Sequence, residues 1–298
     1  MRTDSDRDAR SYITEPVKYV LWPVSQQKTI ICRRNHTSIV NLMETLSKNR
    51  LAQLRKFLQK KHRKAARCAL IEGEKLLGEA LAHGFSIETL VYTQGSGKRF
   101  RDIIGHTGIG RSYRADTSTI TKLSELETGP GILGLVRYPG PAQRPGENPE
   151  HTRYIFLDRI SDPSNLGTII RTASWYGWDG IICGTGCVEL LNGKVLRASM
   201  GALFHLPVWE DADPEHTLKA LKSAGFTLYG SVPRGGEQTA NRAERTVIII
   251  GNETEGIRTS ILRICDHLLT IPGQGKAESL NAAVCAGIIM DRFSVDIS

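Results

Sequence analysis

The sequence predicts an α/β protein in two parts: a C-terminal, mostly parallel sheet with helices on both faces, and a smaller α/β unit before it. Three observations predict this. Short apolar runs alternate with helical patterns through residues 151–298, as βαβ crossovers require of a parallel sheet. A shorter strand–helix–strand pattern fills residues 45–138. Between them, Pro139-Gly140-Pro141-Ala142-Gln143-Arg144-Pro145-Gly146 is nearly devoid of apolar side chains, so 139–150 reads as an interdomain linker. A 298-residue chain suits two domains of about 100–200 residues each.

Residues 1–44 show no clear period. Lys18–Pro23 and Thr29–Cys32 are the segments that suit short strands, and the whole is expected to be a partly disordered extension. Organisation begins near Ser47. Leu51, Leu54 and Leu58 recur at helical spacing and predict an amphipathic helix. Glu74–His83 reads as a helix, and Ile87–Tyr92, Ser112–Arg114 and Ile132–Val136 as strands. In the second half Tyr154–Leu157, Gly180–Cys183, Phe226–Gly230, Thr246–Ile250 and Leu268–Ile271 read as strands. The helices between and after them are Leu166–Tyr176, Lys194–Met200, Thr217–Ser223, Thr259–Ile264 and Leu280–Phe293. The last carries no charge from Asn281 to Met290, and a helix apolar nearly all round must be buried on more than one side.

Charge separates the halves. The formal net charge is +8, yet residues 1–150 hold 25 Lys/Arg against 15 Asp/Glu, and residues 151–298 hold 14 against 16. From Thr45 to Ile71 nine Lys/Arg occur without one acidic residue. Such a run costs stability by self-repulsion and suits a polyanion; Arg55, Lys60, Lys61, Arg63 and Lys64 are the candidate RNA contacts. A solvated charged face is the plainer reading of the same run.

Other classes fit poorly. The apolar runs fall far short of the roughly 18–20 residues that cross a bilayer, and the charged N-terminus lacks a signal-peptide core, so a cytoplasmic protein with no membrane partner is expected. Six cysteines, without a CxxC pair, suit small thiols in a reducing compartment. The first strand of the second half leads into Asp-Arg-Ile-Ser-Asp-Pro-Ser-Asn rather than a dinucleotide-binding glycine pattern. Gly95-Ser96-Gly97-Lys98 lacks the first glycine and the Ser/Thr of a phosphate loop.

In open parallel sheets ligands bind beyond the carboxyl ends of the strands. Three loops there are rich in Gly, Asn and polar residues. The first contains Asn165-Leu166-Gly167-Thr168-Ile169-Ile170-Arg171, with Ser164 or Asn165 suited to cap the following helix. The second is Gly251-Asn252-Glu253-Thr254-Glu255-Gly256. The third runs Ile271-Pro272-Gly273-Gln274-Gly275-Lys276-Ala277-Glu278-Ser279-Leu280-Asn281, with Ser279 as the expected helix cap.

Each loop alone is an ordinary turn. Together, in this order, they resemble the three signature motifs of the SPOUT superfamily, in its SpoU/TrmH branch of RNA ribose 2′-O-methyltransferases. Asn165, Gly167 and Arg171 match the first motif. Gly251, Glu253 and Gly256 match the second, and Ile271, Pro272, Ser279, Leu280 and Asn281 the third. Met200–Val208 is similar to the family's stretch between the first two. Ile71-Glu72-Gly73 and Glu127–Val136 resemble, less sharply, the RNA-binding domain that precedes the catalytic domain in many members.

The resemblance implies a trefoil knot, a homodimer with the active site at its interface, and S-adenosyl-L-methionine (SAM) as methyl donor without a metal. It implies Arg171, Asn165, Glu253, Ser279 and Asn281 as the catalytic set, and Gly251, Ile271, Leu280 and Gly230 as cofactor contacts. The expected substrate is a ribose 2′-hydroxyl of 23S-type ribosomal RNA; transfer RNA is the alternative. A different class, an RNA-binding assembly factor that has lost catalysis, is disfavoured by intact Asn165, Arg171, Glu253 and Asn281.

Overall fold

The computed structural model describes residues 44–127, 129–238 and 241–294; the expected N-terminal extension lies outside them except for Glu44. The smaller part runs β1 (Glu44–Thr45), α1 (Lys48–Arg55), α2 (Lys60–Ala66), β2 (Cys68–Glu72), α3 (Glu74–Ala82), β3 (Ile87–Thr93), α4 (Arg101–Ile104), β4 (Ile109–Ala115), α5 (Thr117–Thr121) and β5 (Ile132–Arg137). The larger part continues with β6 (Arg153–Asp158), α6 (Pro163–Trp175), β7 (Gly180–Gly184), α7 (Gly193–Ser199), β8 (Val208–Ala212), α8 (Pro214–Ser223) and β9 (Thr227–Ser231). It closes with β10 (Thr246–Gly251), α9 (Thr259–Leu262), β11 (His267–Leu269) and α10 (Ala282–Ser294).

The larger sheet has the order β11-β9-β10-β6-β7-β8, and every pair in it is parallel. Period-two alternation sorts its side chains. On β6 and β10, Ile155, Leu157, Ile248 and Ile250 join the side covered by α6 and α10. Tyr154, Phe156, Val247 and Ile249 join the other side, covered by α8 and α9. Burial on both faces explains why β10 reads as an unbroken apolar run. The smaller sheet, β1-β4-β3-β5-β2, is mixed: β3 and β4 are parallel, and β5 is antiparallel to both β3 and β2.

The two sheets share packing. One hydrophobic cluster contains Leu77, Ala80 and Leu81 of α3 together with Leu166, Ile169 and Ile170 of α6. The 139–150 stretch rests on the larger part: Trp209 Nε1 donates to the Gln143 carbonyl at 2.7 Å, and the Gly146 N–H donates to the Tyr154 hydroxyl at 3.2 Å.

Several local expectations are corrected. The first part of the basic run forms α1, capped by Ser47, and beyond it Gln59 is extended and α2 starts a second helix, which the sequence did not indicate. The cap of α6 is Asp162, with Pro163 in the first helical turn, where its missing N–H costs nothing. Asn165 therefore sits inside the helix with its side chain free for other work. Asn281, not Ser279, caps α10, its Oδ1 accepting from the N–H groups of Ala283 and Val284. The unanticipated β8 is an edge strand whose polar sequence, VWEDA, hides it.

Arg63 is the largest correction. The charge pattern puts it among the RNA contacts, yet its side chain is 8% exposed and forks onto Glu189, Nε to Oε1 at 3.0 Å and Nη2 to Oε2 at 2.7 Å. Nη1 donates to the carbonyls of Phe57 and Leu58. A guanidinium saturated and buried in this way faces no phosphate. Lys64 pairs with Asp211 at 2.6 Å and Arg67 with Glu210 at 3.4 Å, so part of the basic run ties α2 to the larger sheet's edge. Arg55, Lys60 and Lys61 stay exposed.

Candidate active site

The site grows from the carboxyl ends of β6 and β10. Asp162 starts α6 by accepting from the N–H groups of Ser164 and Asn165. Gly167 then lets α6 lie against α7: a Cβ there would stand 2.5 Å from the Ala198 Cβ and 2.7 Å from the Val195 carbonyl oxygen. The motif glycine thus serves close helix packing, and that packing fixes where Asn165 points.

Three motif residues converge. The Asn165 Nδ2 donates to Glu253 Oε1, and Asn281 Nδ2 donates to Asn165 Oδ1 at 2.9 Å. Asn165 is 9% exposed, and Glu253 is half-buried. This chain links the first turn of α6, the loop after β10 and the start of α10. Its direction requires Glu253 to accept, as a carboxylate oxygen does.

Arg171 lies two turns along α6, exposed, with no side-chain hydrogen bond or ion pair among the described residues. A guanidinium held out in this way is available to an incoming anion. Ser279 is exposed as well and does not join the Asn165–Glu253–Asn281 chain.

The cofactor candidates differ among themselves. Gly251 ends β10, and a Cβ there would stand 2.3 Å from the Gly256 carbonyl carbon, so the glycine closes the loop that carries Glu253. Ile271 packs half-buried on the core, whereas Leu280 is 44% exposed. Gly230 has another reason for being glycine: its Cβ would meet Cys265 Sγ at 3.0 Å and a Leu268 methyl at 3.2 Å, inside the packed sheet. Residues 272–281 are all exposed, and the peptide N–H groups of 273–280 find no partner among the described residues. Such open backbone beside the three-residue chain fits a ligand gripped through main-chain hydrogen bonds. A cleft of about 470 Å³ near Gly73, Lys75, Arg99 and Met200 is lined by none of the motif residues.

Sequence reasoning missed Asp158, Arg159, Asn252 and Arg258, which hold the second loop in place. Asp158, Arg159 and Asn252 signal only by position, at strand ends that the topology brings side by side, and Arg258 by its place at the start of α9.

Comparison with known proteins identifies the family. Residues 152–291 match the model of the SpoU rRNA Methylase family, and residues 48–134 match that of the MRM3-like substrate binding domain. The chain is 32% identical over 251 residues to the 23S rRNA (guanosine(2553)-2′-O)-methyltransferase RlmP of Bacillus subtilis, covering 83% of this chain and 97% of that one. Its fold is similar to that of the SpoU methyltransferase AviRb from Streptomyces viridochromogenes in complex with AdoMet (SAM), with a TM-score of 0.75, 27% identity, and 83% and 97% of the two chains covered. The AdoMet-bound rRNA methyltransferase from Sinorhizobium meliloti gives a TM-score of 0.73 at 28% identity, covering 86% of this chain and 97% of that one.

Fold, family match and relatives together show a SAM-dependent RNA methyltransferase. The chain belongs to the SpoU family. No helix among the described residues is long and apolar enough to cross a membrane.

Proposed function

We propose that this enzyme methylates a ribose 2′-hydroxyl of 23S ribosomal RNA. The observation that carries the reading is the convergence of Asn165, Glu253 and Asn281 on the helix that presents Arg171. The likeness to RlmP along most of both chains supports the choice of ribosomal over transfer RNA. Bound SAM supplies a methyl group already activated by the sulfonium. The protein's task is to hold the ribose oxygen in line with it and ease the loss of the hydroxyl proton. A guanidinium holds its proton tightly, so Arg171 is a poor base and a good phosphate clamp. It therefore grips the RNA backbone beside the target, while the Asn165–Glu253–Asn281 chain orients the ribose. Gly251, Ile271 and Leu280 are the proposed cofactor contacts, made largely through backbone, with Gly230 behind them in the sheet and Ser279 at the mouth.

The test is methyl transfer from labelled SAM to 23S rRNA and to tRNA, with the modified ribose mapped. A 2′-O-methyl on 23S rRNA is expected. Labelling of tRNA alone would reassign the substrate. Absence of calorimetric SAM binding, with no transfer to either RNA, would favour the assembly factor.

The smaller part is the proposed RNA-binding domain. Its contacts are Arg55, Lys60 and Lys61, with Lys64 shared with Asp211. Replacing Arg55, Lys60 and Lys61 by Ala should flatten the dependence of log K on log salt by roughly 0.7–0.9 for each phosphate that is no longer neutralised. An unchanged slope would return these side chains to the solvated face.

The functional unit proposed is a homodimer. Trp175 is 84% exposed and Val284 51% exposed, on α6 and α10, and Gly287 faces Thr172 across the same pair of helices. Exposed apolar groups on α6, the helix that carries Arg171, and on the neighbouring α10 suit a second subunit that completes the site. A mass near twice 32.9 kDa is expected by light scattering, with Val284→Glu shifting it toward the monomer and lowering activity. Ala286 is fully buried in the chain's own core, so a charge there would test folding instead. A fully active monomer would refute a shared site.

A further inference from the structure

We infer that Asp158 is a positioning residue for the reaction: a buried carboxylate that, through Arg258, fixes the loop from which Glu253 reaches Asn165. The inference rests on the proposed role of Glu253. Asp158 ends β6, paired in register with Gly251 at the end of β10, and is fully buried. A buried ionised carboxylate is costly unless it is paired. Its Oδ2 accepts the Arg258 N–H at 2.9 Å. Its Oδ1 lies 2.8 Å from Arg258 Nε, off the N–H direction, so this contact is an ion pair rather than a directed hydrogen bond. Arg258 is pinned at its far end as well, Nη2 donating to the Thr185 carbonyl at 2.7 Å, just past β7. One arginine therefore spans the ends of β6 and β7 and anchors the exit of the Gly251–Arg258 loop.

The loop's other contacts close it into a ring. Asn252 Nδ2 donates to the Arg159 carbonyl at 3.0 Å, and Asn252 Oδ1 accepts from the N–H groups of Thr254 and Glu255. Arg159 adopts a left-handed φ of 59°, uncommon for a residue with a side chain, and forms an ion pair with Glu255. Everything on this ring except Glu253 is tied back to the ring itself or to the strand ends. Glu253 alone reaches across to α6. The charge of Asp158 is thus converted into the position of Glu253.

The experiment uses the full chain with Asp158→Asn, Glu253→Ala and the two together; Arg258→Gln, at a partly exposed position, stands in if Asp158→Asn fails to fold. Asp158→Asn removes the charge and keeps the shape. It should speed amide hydrogen exchange across 252–258 and lower kcat roughly tenfold to a hundredfold, the cost of small misplacement. If it acts through Glu253, the double variant should turn over within about twofold of Glu253→Ala alone. Unchanged exchange in the loop, or rate losses that multiply, would overturn the proposal. Full turnover by Glu253→Ala would instead sink the reading of the site, while the exchange pattern would still report whether Asp158 holds the loop.

Discussion

Arg171→Ala is expected to lower turnover by roughly 10²–10³-fold, the usual cost of removing one charged or hydrogen-bonding group that acts on the transition state. SAM affinity and the unfolding transition should barely move. The reason is geometric: Arg171 is exposed and has no partner among the described residues, so its loss leaves nothing buried unpaired. Its environment also separates it from Asn165, whose loss would strand both Glu253 and Asn281. Arg171→Lys should recover little, because an ammonium cannot make the planar two-point contact with a phosphate. The checks are single-turnover kinetics and calorimetric SAM titration. Turnover close to that of the unsubstituted enzyme would remove Arg171 from the mechanism, and with it the phosphate clamp.

Glu189→Ala should be the most destabilising single change at the joint between the two sheets. It leaves the Arg63 guanidinium buried without its carboxylate, a situation that costs about 3–5 kcal/mol. Arg63 is held by two backbone carbonyls besides Glu189, so it cannot simply swing to water. Replacing both partners, Arg63→Met with Glu189→Leu, should restore most of the stability, since buried ion pairs are often no better than packed apolar groups. Denaturant unfolding of the three variants measures this. A loss below about 1 kcal/mol for Glu189→Ala would put the pair with solvent-screened surface bridges. By contrast the neighbouring Lys64–Asp211 pair, with both side chains about 60% exposed, should contribute little.

These two arginines show how far the sequence reaches. Arg171 is recognisable because its meaning is local: it stands six residues after Asn165 and four after Gly167, and a helix preserves that spacing whatever surrounds it. Arg63 belongs to a basic run that looks uniform, and nothing within that run distinguishes the member that meets a carboxylate 126 positions away. The helix caps lie between these cases. Ser164, Asn165 and Asp162 all suit an N-cap, but Pro163 favours Asp162, a signal that the sequence itself carries. For α10, both Ser279 and Asn281 can cap, and only the folded loop selects the asparagine.

The sequence by itself determined the alternation of strands and helices, the parallel sheet, and the three loops that carry the motifs, because side-chain periodicity and strand-end chemistry are short-range properties. It also supplied the residue types at the site: Asn165, Arg171, Glu253 and Asn281. Tertiary structure decided which of them meet. Asn165 and Glu253 are 88 positions apart and become partners only because β6 and β10 are neighbours in the sheet. The same pairing sets Asp158 beside the root of the Glu253 loop, and docking of α2 on the larger part converts Arg63 from an apparent RNA contact into a structural tie. Long-range charge pairing depends on where the chain returns in space, and no local pattern of residues encodes that.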